Sequence, residues 1–427
     1  MNTSIQKTMT TKNLLKMTSR RRSITIGIII LLFGLTGILL FARSTDLGSV
    51  STFGLNSGGS SAVSIPDLVI PSFWTTIVLS ILLLLLGLYQ LIKGFGENTN
   101  KILGVGIFLF IVVFLVWATR EKSLNLTGLL RLSAVQALPL VLGALSGILS
   151  ERAGVVNIAI EGLMLIACLV SVLVSSLTGS LWLGLLAALI ASGLLAMAHA
   201  VLCIKYKMDQ IISGMVINIF STGITGFVSI KFLVNFPNLN QSPLFPNISI
   251  PGLANIPILG PIFFNQNIFF YLTAILLVVI NFALYKTRWG LRTRMVGEQP
   301  RAADTLGIKV ERTRYIAVLL SGLIAGLAGA YLTLGAVGRF NRLMTAGRGF
   351  IGLAAMIFGN WNPFGALGAS LIFGFTSSLE SKLTILQVPI PSQFLLMAPY
   401  IATMIILVGV VGSVTAPEAD GQPYDKE

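Results

Sequence analysis

The sequence predicts an all-α, polytopic helical membrane protein with about 10 to 11 transmembrane spans, some of them discontinuous or re-entrant. Of its 427 residues, 55% are hydrophobic and 10% are charged, and the mean hydropathy is +0.89. Apolar runs of roughly 20 residues recur, which is the length that about 30 Å of hydrocarbon requires at 1.5 Å per residue. This composition argues against a soluble fold, and because the runs are continuous rather than alternating, the pattern excludes a β-barrel.

The positive charge is concentrated in two segments. The net charge is +14, and residues 1–22 contribute six basic residues and no acid. The segment 286–314 contributes eight basic residues and three acids, 8 − 3 = +5. Basic segments beside spans stay on the cytoplasmic side and attract anionic lipid. We therefore expect a cytoplasmic N-terminal tail at 1–22 and a cytoplasmic loop at 286–315, with no role for nucleic acid.

Residues 23–127 form an N-terminal extension. Its predicted spans are 23–42, 72–92 and 102–119, and a Ser- and Gly-rich, nearly neutral external loop separates the first two. The first run is long for a signal-peptide core, so an uncleaved anchor is expected. No function is predicted for these three spans.

Residues 128–413 form the predicted core, and residues 414–427 form a short, slightly acidic C-terminal tail. The predicted spans of the core are 132–149, 155–177, 181–204, 209–233, 267–285, 315–334 and 394–411. Residues 234–266 hold six prolines and no charge, which predicts an ordered external cap. A further run, 349–380, is interrupted before Pro363, which predicts a re-entrant hairpin.

Two interruptions carry polar residues within apolar sequence. In the first, Glu151 and Arg152 precede Gly154, and an unwound turn would let them pair. Asn157 and Glu161 are four residues apart, so they would share one helical face. Transporters place irregular backbone at membrane depth where it lines a cavity. The alternative is an interfacial loop whose charges meet water, and the residues alone slightly favour that alternative.

The cytoplasmic loop contains its own helix signals. Pro300 suits a first helical turn, the residues up to Leu306 can propagate it, and Gly307 can end it in the left-handed conformation. Ala302 and Ala303 would allow another surface to approach closely. The residue types alone support two interpretations of this loop equally: a helix that docks on a partner protein, and a segment that only fixes the topology.

Several motifs resemble the membrane permease subunit of ATP-binding-cassette importers of the ribose, nucleoside and branched-chain amino acid type. They are GEQPRAA at 297–303, Gly-Ile at 307–308, SGLIAGLAGA at 321–330 and SERAGVVNIAIEG at 150–162. The last motif is similar to the nucleoside and simple-sugar branch, and it departs from the Gly-Ile-Asp-Leu-Ser-Val-Gly stretch of sugar permeases. The resemblance covers roughly residues 128–413.

The resemblance implies two functional regions. The translocation path would include Glu151, Arg152, Asn157, Glu161, Asn360 and Trp361. The contact with a cytoplasmic ATPase would be made through a coupling helix that includes Gly297, Glu298, Pro300, Arg301, Ala302, Ala303 and Gly307.

The implied function is that of a permease for nucleosides or related simple sugars, working by alternating access in a bacterial plasma membrane. Its partners would be a cytoplasmic ATP-binding subunit, a second permease, with a heterodimer favoured, and an extracellular binding protein. The sequence shows no phosphate loop, metal cluster or catalytic constellation, so no cofactor is expected and ATP hydrolysis falls to another chain. A branched-chain amino acid permease, an ion-coupled secondary transporter and a non-transporting scaffold are the alternatives.

Two further features are predicted to be structural. The single histidine, His199, should form hydrogen bonds between helices or at the interface. The glycines and alanines between 322 and 330 form a small-residue face that should allow close helix packing.

Overall fold

The structure is a computed structural model that describes residues 20, 22–56, 65–388, 390, 391, 393, 394, 397 and 415–426. The predicted last span, 394–411, lies almost wholly outside these residues. The chain divides into two compact units, which comprise residues up to 129 with 379–412, and residues 130–378 with 413–427.

Nine helices in the described part of the chain are long and apolar enough to cross a membrane. They are α1 (Arg22–Ala42), α2 (Ser72–Ile92), α3 (Thr99–Ala118), α4 (Leu126–Glu151), α5 (Ile160–Thr178), α6 (Leu181–Lys205), α7 (Gln210–Leu233), α8 (Ile268–Lys286) and α11 (Val310–Val337). The predicted polytopic helical class is confirmed. Helix α5 begins at Ile160 rather than at 155, and α4 and α11 begin before the residues predicted.

Three short helices, α9 (Arg288–Glu298), α10 (Pro300–Thr305) and α12 (Arg348–Phe358), lie in the second unit. Helices α9 and α10 lie in the segment predicted to be the cytoplasmic loop, and α12 precedes α13 (Pro363–Ile385), which has 23 residues. Polar caps set several helix starts. Ser180 Oγ, Asp209 Oδ1 and Asn267 Oδ1 each accept a hydrogen bond from a backbone N–H in the first turn of α6, α7 and α8.

The first unit combines α1 to α3 with a small sheet. Strand β1 (Val50–Gly54) pairs antiparallel with β2 (Leu68–Pro71) and parallel with β3 (Ser123–Asn125). The helices pack through a buried cluster of Ile26, Ile30, Leu83, Leu103 and Val113.

The second unit is built on α4, α5, α6 and α11, whose facing residues form the main core. The small-residue face of α11 lies on α5 and α6, since a Cβ at Gly326 would lie 3.0 Å from the Ala188 carbonyl oxygen. The predicted packing role of this face is confirmed. The segment before α8 contains a hairpin of β4 (Asn247–Ser249) and β5 (Asn265–Asn267), so the predicted cap is ordered.

Candidate functional site

The first interruption is the unwound segment 152–159 between α4 and α5. Its backbone is held by side chains of neighbouring helices, as a backbone without helical partners inside a packed protein requires. His199 Nε2 lies 3.0 Å from the carbonyl oxygen of Val156, and the N–H of Val156 donates to Gln210 Oε1 at 2.6 Å. His199 Nδ1 also contacts Ser213 Oγ at 2.9 Å. The predicted structural role of His199 is confirmed.

Asn157 lies in this unwound segment. Its amide donates to Ser321 Oγ of α11 at 2.9 Å, and its side chain is buried. Because α5 begins at Ile160, Asn157 precedes the helix that carries Glu161. The prediction that Asn157 and Glu161 share one helical face is therefore wrong, since a helical spacing rule applies only where both residues are helical.

The second interruption joins α12 to α13 through residues 359–362. Asn360 and Trp361 adopt φ values of 53° and 51°, a region that residues other than glycine rarely occupy. Pro363 is the first residue of α13. The predicted break before Pro363 is confirmed. Helix α12 has 11 residues, or about 16 Å, which is roughly half the hydrocarbon thickness.

The two interruptions meet through their polar residues. The indole Nε1 of Trp361 donates to Glu151 Oε2 at 2.7 Å. Arg152 donates to the carbonyl oxygens of Trp361 and Asn360, each at 3.3 Å, and forms an ion pair with Glu298 at 3.7 Å. The predicted pairing of Glu151 with Arg152 is wrong, because each finds a partner from a distant part of the chain.

Glu161 holds the opposite end of α12. Its two carboxylate oxygens accept the backbone N–H groups of Gly347 at 2.8 Å and Gly349 at 2.7 Å. These donors lie at the N-terminus of α12, where unpaired N–H groups and the helix dipole favour a negative charge. Helix α12 is thus bounded by Glu161 at its start and by the cluster of Glu151, Arg152, Asn360 and Trp361 after its end.

The predicted short helix in the cytoplasmic loop is present as α10. Pro300 is its first residue, and Gly307 follows it with a φ of 79°. The loop contains a second helix, α9, so the prediction of a single helix is wrong. The sequence signals for α9 are the cap Thr287, whose Oγ1 accepts from Gly290 N at 3.2 Å, and small or apolar residues at helical spacing up to Val296.

The predicted coupling residues divide into exposed and buried groups. Glu298, Arg301, Ala302 and Gly307 are exposed, and Pro300 is partly exposed. Ala303 is fully buried against Val296 and Val310, so it cannot meet another chain in this structure. The expectation that Ala303 offers a docking surface is therefore wrong.

Gly297 is also buried, on the side of α9 that faces the first interruption. A Cβ at Gly297 would lie 2.4 Å from the carbonyl oxygen of Arg152, so only glycine permits this approach. The loop 286–315 and the first interruption are therefore in direct contact.

Sequence reasoning missed two groups of residues. Arg314 in the first turns of α11 is buried and donates to Ala153 O at 3.2 Å and to Gln422 O at 3.1 Å. The C-terminal segment 415–426 lies beside α9 and α10, where the N–H of Ala419 donates to Gly297 O at 2.9 Å. The tail therefore lies at the same end of the second unit as the loop 286–315. No local signal marked Arg314, because it lies beside Glu311 and Arg312 at the end of the charged segment 286–314.

Comparison with known proteins identifies the family. The profile of the family described as branched-chain amino acid transport system / permease component matches residues 129–410. The chain belongs to this permease family. The matched residues include both interruptions and both helices of the cytoplasmic loop, whereas the described tail residues 415–426 follow them.

The permease also has similar relatives of known description. It is 45% identical over 302 residues to the guanosine ABC transporter permease protein NupQ of Bacillus subtilis, covering 68% of this chain and 94% of NupQ. It is 40% identical over 304 residues to the nucleoside ABC transporter permease protein NupC of Lactococcus lactis, covering 68% and 95%. The putative glucose ABC transporter permease protein TsgC13 of Haloferax volcanii is 36% identical over 263 residues, covering 60% and 77%. No solved structure matches the permease significantly.

Proposed function

We propose that this permease is the membrane subunit of an ATP-driven importer for nucleosides. The observation that carries the proposal is the 45% identity to a guanosine permease across 94% of that relative. Simple sugars are the second candidate class, because a putative glucose permease is 36% identical over 77% of its length. A branched-chain amino acid permease and an ATP-independent secondary transporter are less well supported by these relatives.

The proposed translocation path follows α12 and the two interruptions. Glu151, Arg152, Asn157, Glu161, Asn360 and Trp361 are its proposed residues. Their support is that irregular backbone and ionisable groups within a helical membrane protein concentrate where a cavity is lined. A nucleoside offers hydroxyl groups and base edges, which carboxylate and amide side chains of this kind can bind by hydrogen bonds.

The proposed link to the energy source is α10. Arg301, Ala302 and Gly307 would face a cytoplasmic ATP-binding subunit, together with Glu298. The Glu298 carboxylate pairs with Arg152, which contacts Asn360 and Trp361. A displacement of the junction between α9 and α10, where Glu298 lies, would therefore reach the second interruption through a short chain of contacts, and alternating access would follow from movement of α12 and α13.

The proposed assembly contains further partners. A second permease completes the path, and a heterodimer is favoured by the resemblance to the nucleoside branch. An extracellular binding protein delivers the solute, and the N-terminal tail faces the cytoplasm of a bacterial plasma membrane beside anionic lipid.

The test is reconstitution in liposomes with the ATP-binding subunit and the second permease that copurify with this chain. We expect uptake of radiolabelled guanosine that requires ATP, with competition by other nucleosides and not by leucine. An ATP-binding subunit unable to hydrolyse ATP is the control and should abolish uptake. Equal uptake without ATP would overturn the proposal in favour of a secondary transporter, and competition by leucine alone would overturn the nucleoside class.

A further inference from the structure

The C-terminal segment 415–426, here called the tail, lies directly on the proposed coupling region. The N–H of Ala419 donates to Gly297 O at 2.9 Å, and the N–H of Glu418 donates to Glu298 Oε2 at 3.2 Å. In return, the Gln299 side chain donates to Glu418 Oε2 at 2.8 Å. The tail thus bonds to three consecutive residues at the junction of α9 and α10.

The tail is also fixed on its far side. Arg314 donates to Gln422 O at 3.1 Å, Thr415 donates to Asn360 Oδ1 at 3.2 Å, and Ala419 is 5% exposed. Two ion pairs add little to the stability of the docked tail, because exposed pairs contribute about 0–1 kcal/mol. They join Lys207 to Asp425 and Lys426 to Asp304. Backbone hydrogen bonds and burial therefore hold the tail in place.

A groove of about 360 Å³ runs between the tail and α10. One wall is formed by residues 298–301, and the other by Glu418, Ala419 and residues 422–425. The lining carries three acids, Glu298, Glu418 and Asp425, and one base, Arg301, so its formal charge is 1 − 3 = −2. Two of these acids already pair with bases outside the lining, Glu298 with Arg152 and Asp425 with Lys207, so Glu418 is the carboxylate of the groove that a basic partner group would meet.

The position of the groove limits how a partner can dock. The outer face of α10 carries the exposed Ala302 and Leu306, and Leu306 is 70% exposed. A protein that covers this face lies close to the groove, because the groove-lining residues Pro300 and Arg301 directly precede Ala302 in α10. Opposite charges across an interface fix register and speed association.

We propose that the tail and α10 form one composite docking surface for the cytoplasmic ATP-binding subunit, with the groove receiving a basic side chain of that subunit. This inference rests on the proposed function and extends it to a segment that follows the matched family region. The tail then contributes contact area and acidic groups that α10 alone lacks.

Photo-crosslinking in the assembled transporter tests the surface. A benzophenone amino acid is placed at Ala302 on α10, at Pro423 on the tail, or at Asn247 in β4, all of which are exposed. We expect crosslinks to the ATP-binding subunit from positions 302 and 423 and none from 247. A crosslink from 302 without one from 423 overturns the composite surface and leaves the proposed function intact, whereas no crosslink from either position overturns the docking on α10 itself.

Charge variants test the groove. Glu418→Lys should weaken binding of the ATP-binding subunit about tenfold because it opposes a basic partner side chain, and Glu418→Gln should have a smaller effect. Binding is measured on the full permease in nanodiscs, with thermal melting as a check on folding. Equal binding by the wild type and the Glu418→Lys variant would overturn the assignment of a basic side chain to the groove.

Discussion

The indole Nε1 of Trp361 donates to Oε2 of Glu151 at 2.7 Å and joins the end of α4 to the break between α12 and α13. Both residues are buried, at 5% exposure each. The contact links two irregular segments that are 210 residues apart in sequence.

Removing the indole donor should destabilise the protein. Trp361→Phe leaves a buried oxygen of Glu151 without this donor, and leaving a buried polar group unpaired costs about 1–3 kcal/mol. Thermal melting in detergent should show a lower Tm for Trp361→Phe and no change for Trp182→Phe, whose side chain is 59% exposed. The double variant with Glu151→Gln should lose less than the sum of the two single losses. If the losses of stability in the two single variants add up in the double variant, a direct interaction between Trp361 and Glu151 would be contradicted.

Glu161→Ala should reduce transport strongly. The substitution removes the acceptor of both Gly347 N and Gly349 N and releases the N-terminus of α12. Asp209→Ala is the matched control, because Asp209 caps α7 by accepting from Ile212 N at 2.9 Å. Loss of either carboxylate cap should lower the stability of the protein by about 1 kcal/mol or more. Only Glu161→Ala should lower the rate of ATP-dependent uptake, by about tenfold or more. Equal uptake by the two variants would argue against a role of α12 in the path.

Charge reversal at the end of α9 and the start of α10 should abolish transport without preventing membrane insertion. In Glu298→Lys with Arg301→Glu, the exposed charges that would face the ATP-binding subunit are exchanged, and the Glu298 pair with Arg152 is lost. Membrane fractionation measures insertion, and vesicle uptake measures transport. Arg312→Glu reverses an exposed charge in the first turn of α11 and should leave uptake unchanged. Normal uptake by the double variant would exclude coupling through α10.

Docking of the tail should depend on pH through Asp420. Burial raises the pKa of Asp420 to about 7, while a hydrogen bond with Glu151, the backbone N–H of Gly421 and the charge of Arg314 act in the opposite direction. An aspartate in a released tail has a pKa of about 3.9. Because the docked tail binds this proton more tightly, docking is strongest below about pH 4 and weakens by up to about tenfold per pH unit until about pH 7.

Hydrogen exchange of the tail amides measures this effect after correction for the intrinsic pH dependence of exchange. The N–H groups of Glu418 and Ala419 should lose protection between pH 5 and pH 7.5. Asp420→Asn, which cannot ionise, should make the corrected protection independent of pH. Protection in the wild type that rises with pH would contradict the assignment.

Two glycine substitutions should have opposite effects on stability, because Gly329 in α11 is closely packed and Gly104 in α3 is not. A Cβ at Gly329 would lie 2.2 Å from Met164 O, so Gly329→Ala should destabilise the protein by about 1–3 kcal/mol. A Cβ at Gly104 in α3 would meet nothing within 4 Å, so Gly104→Ala should stabilise its helix by up to about 1 kcal/mol. Thermal melting measures the Tm of each variant and so distinguishes the two effects. A higher Tm for Gly329→Ala would contradict the packing in the structure.

The sequence alone predicts features that local chemistry determines. The spans are visible because about 20 apolar residues must be consecutive to cross a bilayer. Pro300 and Gly307 mark the ends of α10, and Pro363 marks the second interruption, because each residue restricts or permits particular backbone angles.

Contacts between segments that are distant in sequence could not be predicted from the sequence alone. The partner of Glu151 is Trp361 and the partner of Arg152 is Glu298, and only the packing of the second unit brings them together. Asn157 and Glu161 have helical spacing, yet the backbone is unwound at Asn157. Side chains of His199 and Gln210 satisfy the backbone of the preceding residue, Val156, in place of helical hydrogen bonds. Whether a residue lines the path or only supports the fold depends on these tertiary contacts.

In the proposed translocation path, the carboxylate at the start of α12 has a consequence for which solutes can pass. A helix N-terminus is a natural phosphate site, because its free N–H groups and dipole attract anions. Here Glu161 already occupies the N–H groups of Gly347 and Gly349. A nucleotide would have to compete with a tethered carboxylate and bring its own negative charge beside it, whereas an uncharged nucleoside meets no such penalty. The same carboxylate that fixes the helix would thereby turn phosphorylated solutes away.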